Sequence, residues 1–146
     1  MGDIKITGKL RLQLIHEDGS EELFEATNLL TTQGKGHIAS RMMPAPTVGP
    51  QSYVAVGTNG QPPVLTDTGL GNEIARVLGS IPTAAGAVWT INATFPPGVG
   101  TGALAEAGVY DTGNPGATTN LCRSAFGLIN KGAGDTLNIS WQVTIG

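Results

Sequence analysis

The sequence predicts an all-β protein: an antiparallel β-sandwich, jelly-roll-like, of about eight strands with one short helix, in a single domain over residues 1–146. Three observations predict it. Apolar and polar residues alternate over several short runs, the period of a strand with one wet face. Glycine (22 residues) and proline (9 residues) break those runs at short intervals, a spacing that suits sandwiches and barrels. A chain of 146 residues also has room for one core, burying about two-thirds of its unfolded surface.

The first run sets Ile4, Ile6, Leu10, Leu12 and Leu14 against Lys5, Thr7, Lys9, Arg11 and Gln13. Gly8 interrupts it, as a bulge or bend does. Asp18-Gly19 marks a hairpin, and Glu21 to Ala26 returns from it. Thr31 or Thr32 caps a short helix over 32–43. Ile38 and Met42 share one face of that helix, and Pro44 ends it. Ser52 to Gly57 reads as a buried strand and 58–71 as a long loop. Residues 72–81 read as a strand, with a helix as the alternative. Val88 to Phe95 alternates again and is expected to face the preceding strand across a turn at Ala85-Gly86. Leu104–Tyr110 and Leu121–Ile129 are strands joined by a turn-rich 111–119. Residues 130–135 are expected to form a hairpin loop into the cleanest strand, Thr136–Ile145. Leu137, Ile139, Trp141, Val143 and Ile145 occupy one face of it. Thr136, Asn138, Ser140, Gln142 and Thr144 occupy the other, which is polar and uncharged. A solvated face more often carries Lys or Glu, so a second sheet or a partner is expected to cover this one.

Composition narrows the function. The net charge is −3 and charged residues make up 13% of the chain. Its Lys and Arg are scattered, so the basic footprint of a nucleic-acid binder is missing. No apolar run approaches the roughly 18 residues of a bilayer span, and the opening residues alternate where a leader would present an apolar core. Cys122 has no second cysteine to pair with, which suits folding in a reducing cytoplasm; on a strand with apolar neighbours it reads as a buried, inert thiol.

Catalysis is not expected. His16 and His37 read as surface residues without neighbours at metal-ligand spacing. Gly98-Val99-Gly100-Thr101-Gly102 departs from the dinucleotide fingerprint, and a strand follows it where a helix is needed. It reads as a loop able to lie flat against another protein. Glu17, Asp18, Glu21, Glu22 and Glu25 flank the first hairpin as solvated charge. Asp111 and Asn114 lack the spacing of a calcium loop. Glu106 sits in an otherwise apolar strand. It either faces water or is buried with Arg76 or Arg123 as its partner. No catalytic, cofactor or metal site is assigned. The residues expected to meet a partner are Asn138, Ser140, Gln142 and Thr144, with Gly98, Gly100 and Gly102.

Four blocks carry a resemblance. They are Ala26-Thr27-Asn28-Leu29 running into Gly34–Met43; Val54 to Arg76; Ala93 to Asp111; and Leu121 to Ile145. Together they resemble a family of small tailed-bacteriophage virion proteins. Parts of the second and third are also similar to the N-terminal region of phage tail-collar fibre proteins. An AVG strand, a D-T-x-L-x-x-E loop and an E-x-G-x-[YF]-D strand recur there in the same order. The resemblance implies a structural virion protein, with a capsid decoration (cement) role the best fit by size. It further implies the major capsid protein as partner, a homo-oligomer with a trimer favoured, and a place on the capsid surface after synthesis in the host cytoplasm. A tail, baseplate or fibre-attachment role is the alternative. The chain ends on its last strand without a shaft, which favours decoration. A carbohydrate-binding β-module is a third reading, and it would expose at least two of Trp89, Trp141, Tyr53 and Tyr110 together.

Overall fold

The alternating runs become strands, and the strands sort into two sheets. A computed structural model describes residues 4–46, 48–82, 84–114 and 120–146. Its elements are β1 (Ile6–Ile15), β2 (Glu21–Thr27), β3 (Leu29–Leu30), α1 (Thr32–Arg41), β4 (Tyr53–Gly57), β5 (Glu73–Leu78), β6 (Val88–Phe95), β7 (Gly102–Tyr110), β8 (Asn120–Lys131) and β9 (Thr136–Ile145). One sheet has the order β2-β1-β9-β6 and the other β3-β8-β7-β4-β5. Every pairing is antiparallel. The architecture is the all-β sandwich expected.

The first and last strands zip together in the middle of the first sheet, from Ile6 opposite Ile145 to Ile15 opposite Thr136. Their apolar faces supply Leu10, Leu12, Leu14, Leu137, Ile139 and Trp141 to the core. Val54, Val56, Val109 and Ile129 meet them from the second sheet, and all ten are at most 1% exposed. Burying one such side chain stabilises the fold by about 1.5–3 kcal/mol. The alternation fails at its ends: Ile4 is 80% exposed and Ile145 47%.

Two glycines are explained by close approach. Gly8 keeps the β1–β9 register unbroken, so it is not a bulge. A Cβ there would fall 1.4 Å from Asn28 Oδ1, the atom that accepts the Trp141 indole N–H at 2.9 Å. Gly34 lets α1 lie on β8, where a Cβ would sit 1.8 Å from the Leu121 carbonyl oxygen. Thr31 is the N-cap: its hydroxyl accepts the Gly34 N–H at 3.0 Å.

Several expectations are corrected. The helix ends at Arg41, and Met42, expected to share a helical face with Ile38, lies beyond it and is 83% exposed. β5 and β6 do not pair. β5 pairs with β4 and β6 with β9, and among the described residues only the bridge Ser80–Asn92, just past β5, ties this segment to β6. β8 and β9 are not a hairpin either, because they belong to different sheets. The turn between them is closed by the Asp135 carboxylate, which accepts the Gly132 N–H at 2.8 Å, and it carries the chain across the core. Much of the connection expected after Asp111 lies outside the described residues.

Candidate functional site

Glu106 alternates with Ala107 and therefore faces away from the core, yet it is fully buried. The loop 58–72 crosses over it. Its carboxylate accepts the backbone N–H groups of Asn59 at 2.9 Å, Gly71 at 2.7 Å and Asn72 at 2.8 Å. Arg123 is its ion partner at 3.1 Å. Arg123 also reaches Asp67 at 3.3 Å and the Asn59 carbonyl at 3.0 Å. Arg76 takes a separate role. It forks onto Glu73 at 2.7 and 2.9 Å, lies 3.7 Å from the Tyr110 ring centroid, and donates to the carbonyls of Thr112 and Asn114. The carbonyls that a calcium ion would need therefore face a guanidinium. Tyr110 accepts the Leu70 N–H at 2.9 Å, and burial pushes its hydroxyl up to about 12. The D-T-x-L-x-x-E loop and the E-x-G-x-[YF]-D strand thus meet in one network. Its carboxylates and guanidinia strap the loop to the second sheet.

The polar side of β9 lies elsewhere, on the outer face of the first sheet. Asn138 stands between Gln13 and Thr94, Ser140 between Arg11 and Asn92, and Gln142 between Lys9 and Thr90. Thr94 donates to Asn138 Oδ1 at 2.8 Å, and Asn138 donates to Gln13 at 3.2 Å. The second sheet packs on the opposite side, so it does not cover this face. Asn138 and Ser140 are half-buried beside a shallow groove of about 450 Å³, while Gln142 and Thr144 are exposed. The glycine loop has a different character. Gly98, Gly100 and Gly102 take φ of 84°, 70° and 146°, the region that favours glycine. Gly98 is exposed and donates to the Ala133 carbonyl at 3.0 Å. Gly100 is buried against Val56 and Phe95, and Gly102 opens β7. Gly100 is thus a packing position, which leaves Gly98 to face outward.

No family model, curated protein or solved structure matches the chain.

The aromatics do not assemble a sugar platform. Trp141 and Tyr110 are buried, and Trp89 and Tyr53 are half-buried on different sheets. Among the described residues no group of three His, Cys, Asp or Glu side chains is placed to hold a metal ion. No helix there is long and apolar enough to cross a membrane. Cys122 is free and buried, and burial raises its thiol pKa.

His16 lies at the surface as expected, whereas His37 does not. His37 is 9% exposed, with Nδ1 unpartnered. Burial lowers its pKa, while Asp111 opposes that. The short helix carries few apolar residues, so the sequence signalled a surface position; the contact at Gly34, one turn earlier, is what presses His37 inward. His16 links two turns, lying 2.7 Å from Glu22 and 3.3 Å from Asp135. The hydrogen bond to Glu22 raises its pKa first, with Asp135 adding to it. Asp135 is lowered, chiefly by the Gly132 N–H.

These shifts give a pH dependence. A raised histidine contributes stability that is fully present below its ordinary value of 6.5 and lost as pH rises through the folded pKa. The lowered Asp135 contributes above its ordinary value of 3.8 and loses that as pH falls through its folded pKa. The His16–Asp135 link is therefore tightest between the two ordinary values. His16→Gln is expected to flatten the decline in melting temperature from about pH 5 to about pH 8. An unchanged decline would show that the link does not form in solution.

Proposed function

We propose that this protein is a structural virion component that binds the outside of a bacteriophage capsid and stabilises contacts between capsid subunits, as decoration or cement proteins do. The observation that carries the reading is the open, uncharged polar face of β9 and β6, set on a sheet whose other side is packed against the core. Rows of Asn, Ser, Thr and Gln bind a partner through many weak hydrogen bonds. Repetition over a symmetric shell multiplies a modest single-site affinity. The resemblance of the four sequence blocks supports a virion role, with the major capsid protein as partner and the capsid surface as location. A tail, baseplate or fibre-attachment role is the second reading. The strapped loop favours it, since its motif residues are the ones similar to collar fibres.

Cosedimentation with purified capsids tests the first reading. Ser140→Arg is expected to lower capsid binding at least about tenfold, which is about 1.4 kcal/mol, with an unchanged melt. Labelled protein on whole particles distinguishes the readings. Label over the shell supports decoration, label at the tail alone supports the second reading, and an unlabelled particle sinks both.

A further inference from the structure

One end of the sandwich is apolar and rimmed with cations. Two clefts of about 430 and 630 Å³ lie there on either side of Ile6 and along α1. Met42, Trp89, Ile145 and Leu65 contribute to their walls. Met42 is 83% exposed, Ile4 at the same rim 80%, and Trp89 half-buried. Lys5, Lys35 and Arg41 also line these clefts, and none of the described lining residues carries a carboxylate. That is unusual in a chain with 11 acidic and 8 basic residues. Trp, Met and Arg are the residue types enriched where proteins meet.

The complementary surface is on the same molecule. Edge strand β2 begins Glu21-Glu22-Leu23, and Glu25 follows two positions after Leu23. Leu23 is 76% exposed, and the three carboxylates around it are exposed too. Their partners within the chain are solvent-facing: Gln13 for Glu21, His16 for Glu22, and Lys9 and Arg11 for Glu25. Such contacts are weak enough to exchange. Leu23 pairs with Gln13, seven positions along β1 from Ile6. The nearer cleft reaches Thr27 at the other end of β2; at about 3.3 Å per residue, four residues of one extended strand hold Leu23 roughly 13 Å from that wall. A chain cannot fill its own cleft with its own knob.

We propose that the acidic, leucine-tipped edge of β2 in one copy docks into the cation-rimmed apolar end of a second copy. The contact is head-to-tail, so each copy keeps one free knob and one free cleft. Such a contact closes into a ring or runs on as a filament according to the rotation between copies. It goes beyond the capsid reading and stands without it, because its charges and apolar surfaces belong to this chain alone.

Sedimentation velocity of the whole chain, across a range of concentrations and at low and high salt, tests it. The wild type is expected to self-associate, and less so as salt screens the charges. Leu23→Arg and Arg41→Glu are each expected to sediment as monomers. Their equimolar mixture is expected to form a one-to-one complex that grows no further, because one chain keeps the only good knob and the other the only good cleft. Where Arg41→Glu shifts the melt, Met42→Asp replaces it, since that side chain is almost fully exposed. A wild type that is monomeric at every concentration in low salt overturns the proposal, as do variants that assemble normally or a mixture that does not pair. A monomeric wild type that binds phosphatidylglycerol vesicles assigns the surface to anionic lipid and overturns it equally. Thr90→Arg, on the polar face at the β6 edge and outside the groove that Leu23 and Glu25 line, is expected to assemble as the wild type does. Loss of capsid binding in that chain, with assembly intact, keeps this contact separate from the capsid face.

Discussion

Glu106→Ala is expected to cost about 3–5 kcal/mol, the usual penalty for removing one member of a buried ion pair. Small domains are stable by only about 5–15 kcal/mol, so the variant is marginal or unfolded. The cause is specific. Arg123 is left buried without its main counter-charge, and the Asn59, Gly71 and Asn72 N–H groups lose their acceptor. A urea melt measures the total. Hydrogen exchange at those three amides locates it, and they are expected to exchange faster than the amides of β9. The double variant Glu106→Ala with Arg123→Met removes the orphaned cation and is expected to recover part of the loss. What remains reports the three amides. A single-variant loss below about 1 kcal/mol, the range of exposed pairs, would mean that the loop does not stay closed over Glu106 in solution.

The same residue shows what sequence reasoning could reach. Its isolation in an apolar strand, with two arginines as candidate partners, was legible. Which arginine was not, because that depends on strand neighbours. Gly108, on the same face of β7, stands opposite Arg123 on β8, whereas Arg76 stands opposite Ala55 on β4. Alternation reports which face a side chain takes and is silent on which strand lies beside it. The same silence explains why β8 and β9 read as a hairpin although they cross between sheets. The bounds of β9 and its core face as far as Val143 were legible, because its two faces differ sharply in polarity. What sequence could not decide was whether the second sheet or a partner covers its polar face, a question of which side of the sheet the core occupies. The clefts at the α1 end were illegible for a related reason. They draw on α1, β1, β6 and β9 together, and no single segment announces them. Gly34 is a poor helix former, yet it is the point where the helix touches β8.

Trp141→Ala is the second large effect, at about 3–5 kcal/mol, the range for emptying a large aromatic site in a packed core. Trp141 is fully buried at the centre of the first sheet, opposite Leu10 on one side and Ile91 on the other. Its indole N–H also holds Asn28 in the space that Gly8 leaves open. Trp141→Phe separates the two contributions. It keeps most of the volume and removes the donor to a half-buried acceptor, so it is expected to cost about 0.5–1.5 kcal/mol, the net worth of one hydrogen bond. Denaturant melts of the two variants therefore fall in a defined order, alanine below phenylalanine below wild type. Equal losses would place the energy in the hydrogen bond, and an unchanged alanine variant would mean that β9 has the opposite register. The order bears on function as well, because Trp141 lies between Ser140 and Gln142, which point the other way. Emptying its site loosens the strand that holds the polar face flat. Trp141→Ala is thus expected to weaken partner binding even though no atom of Trp141 reaches that face.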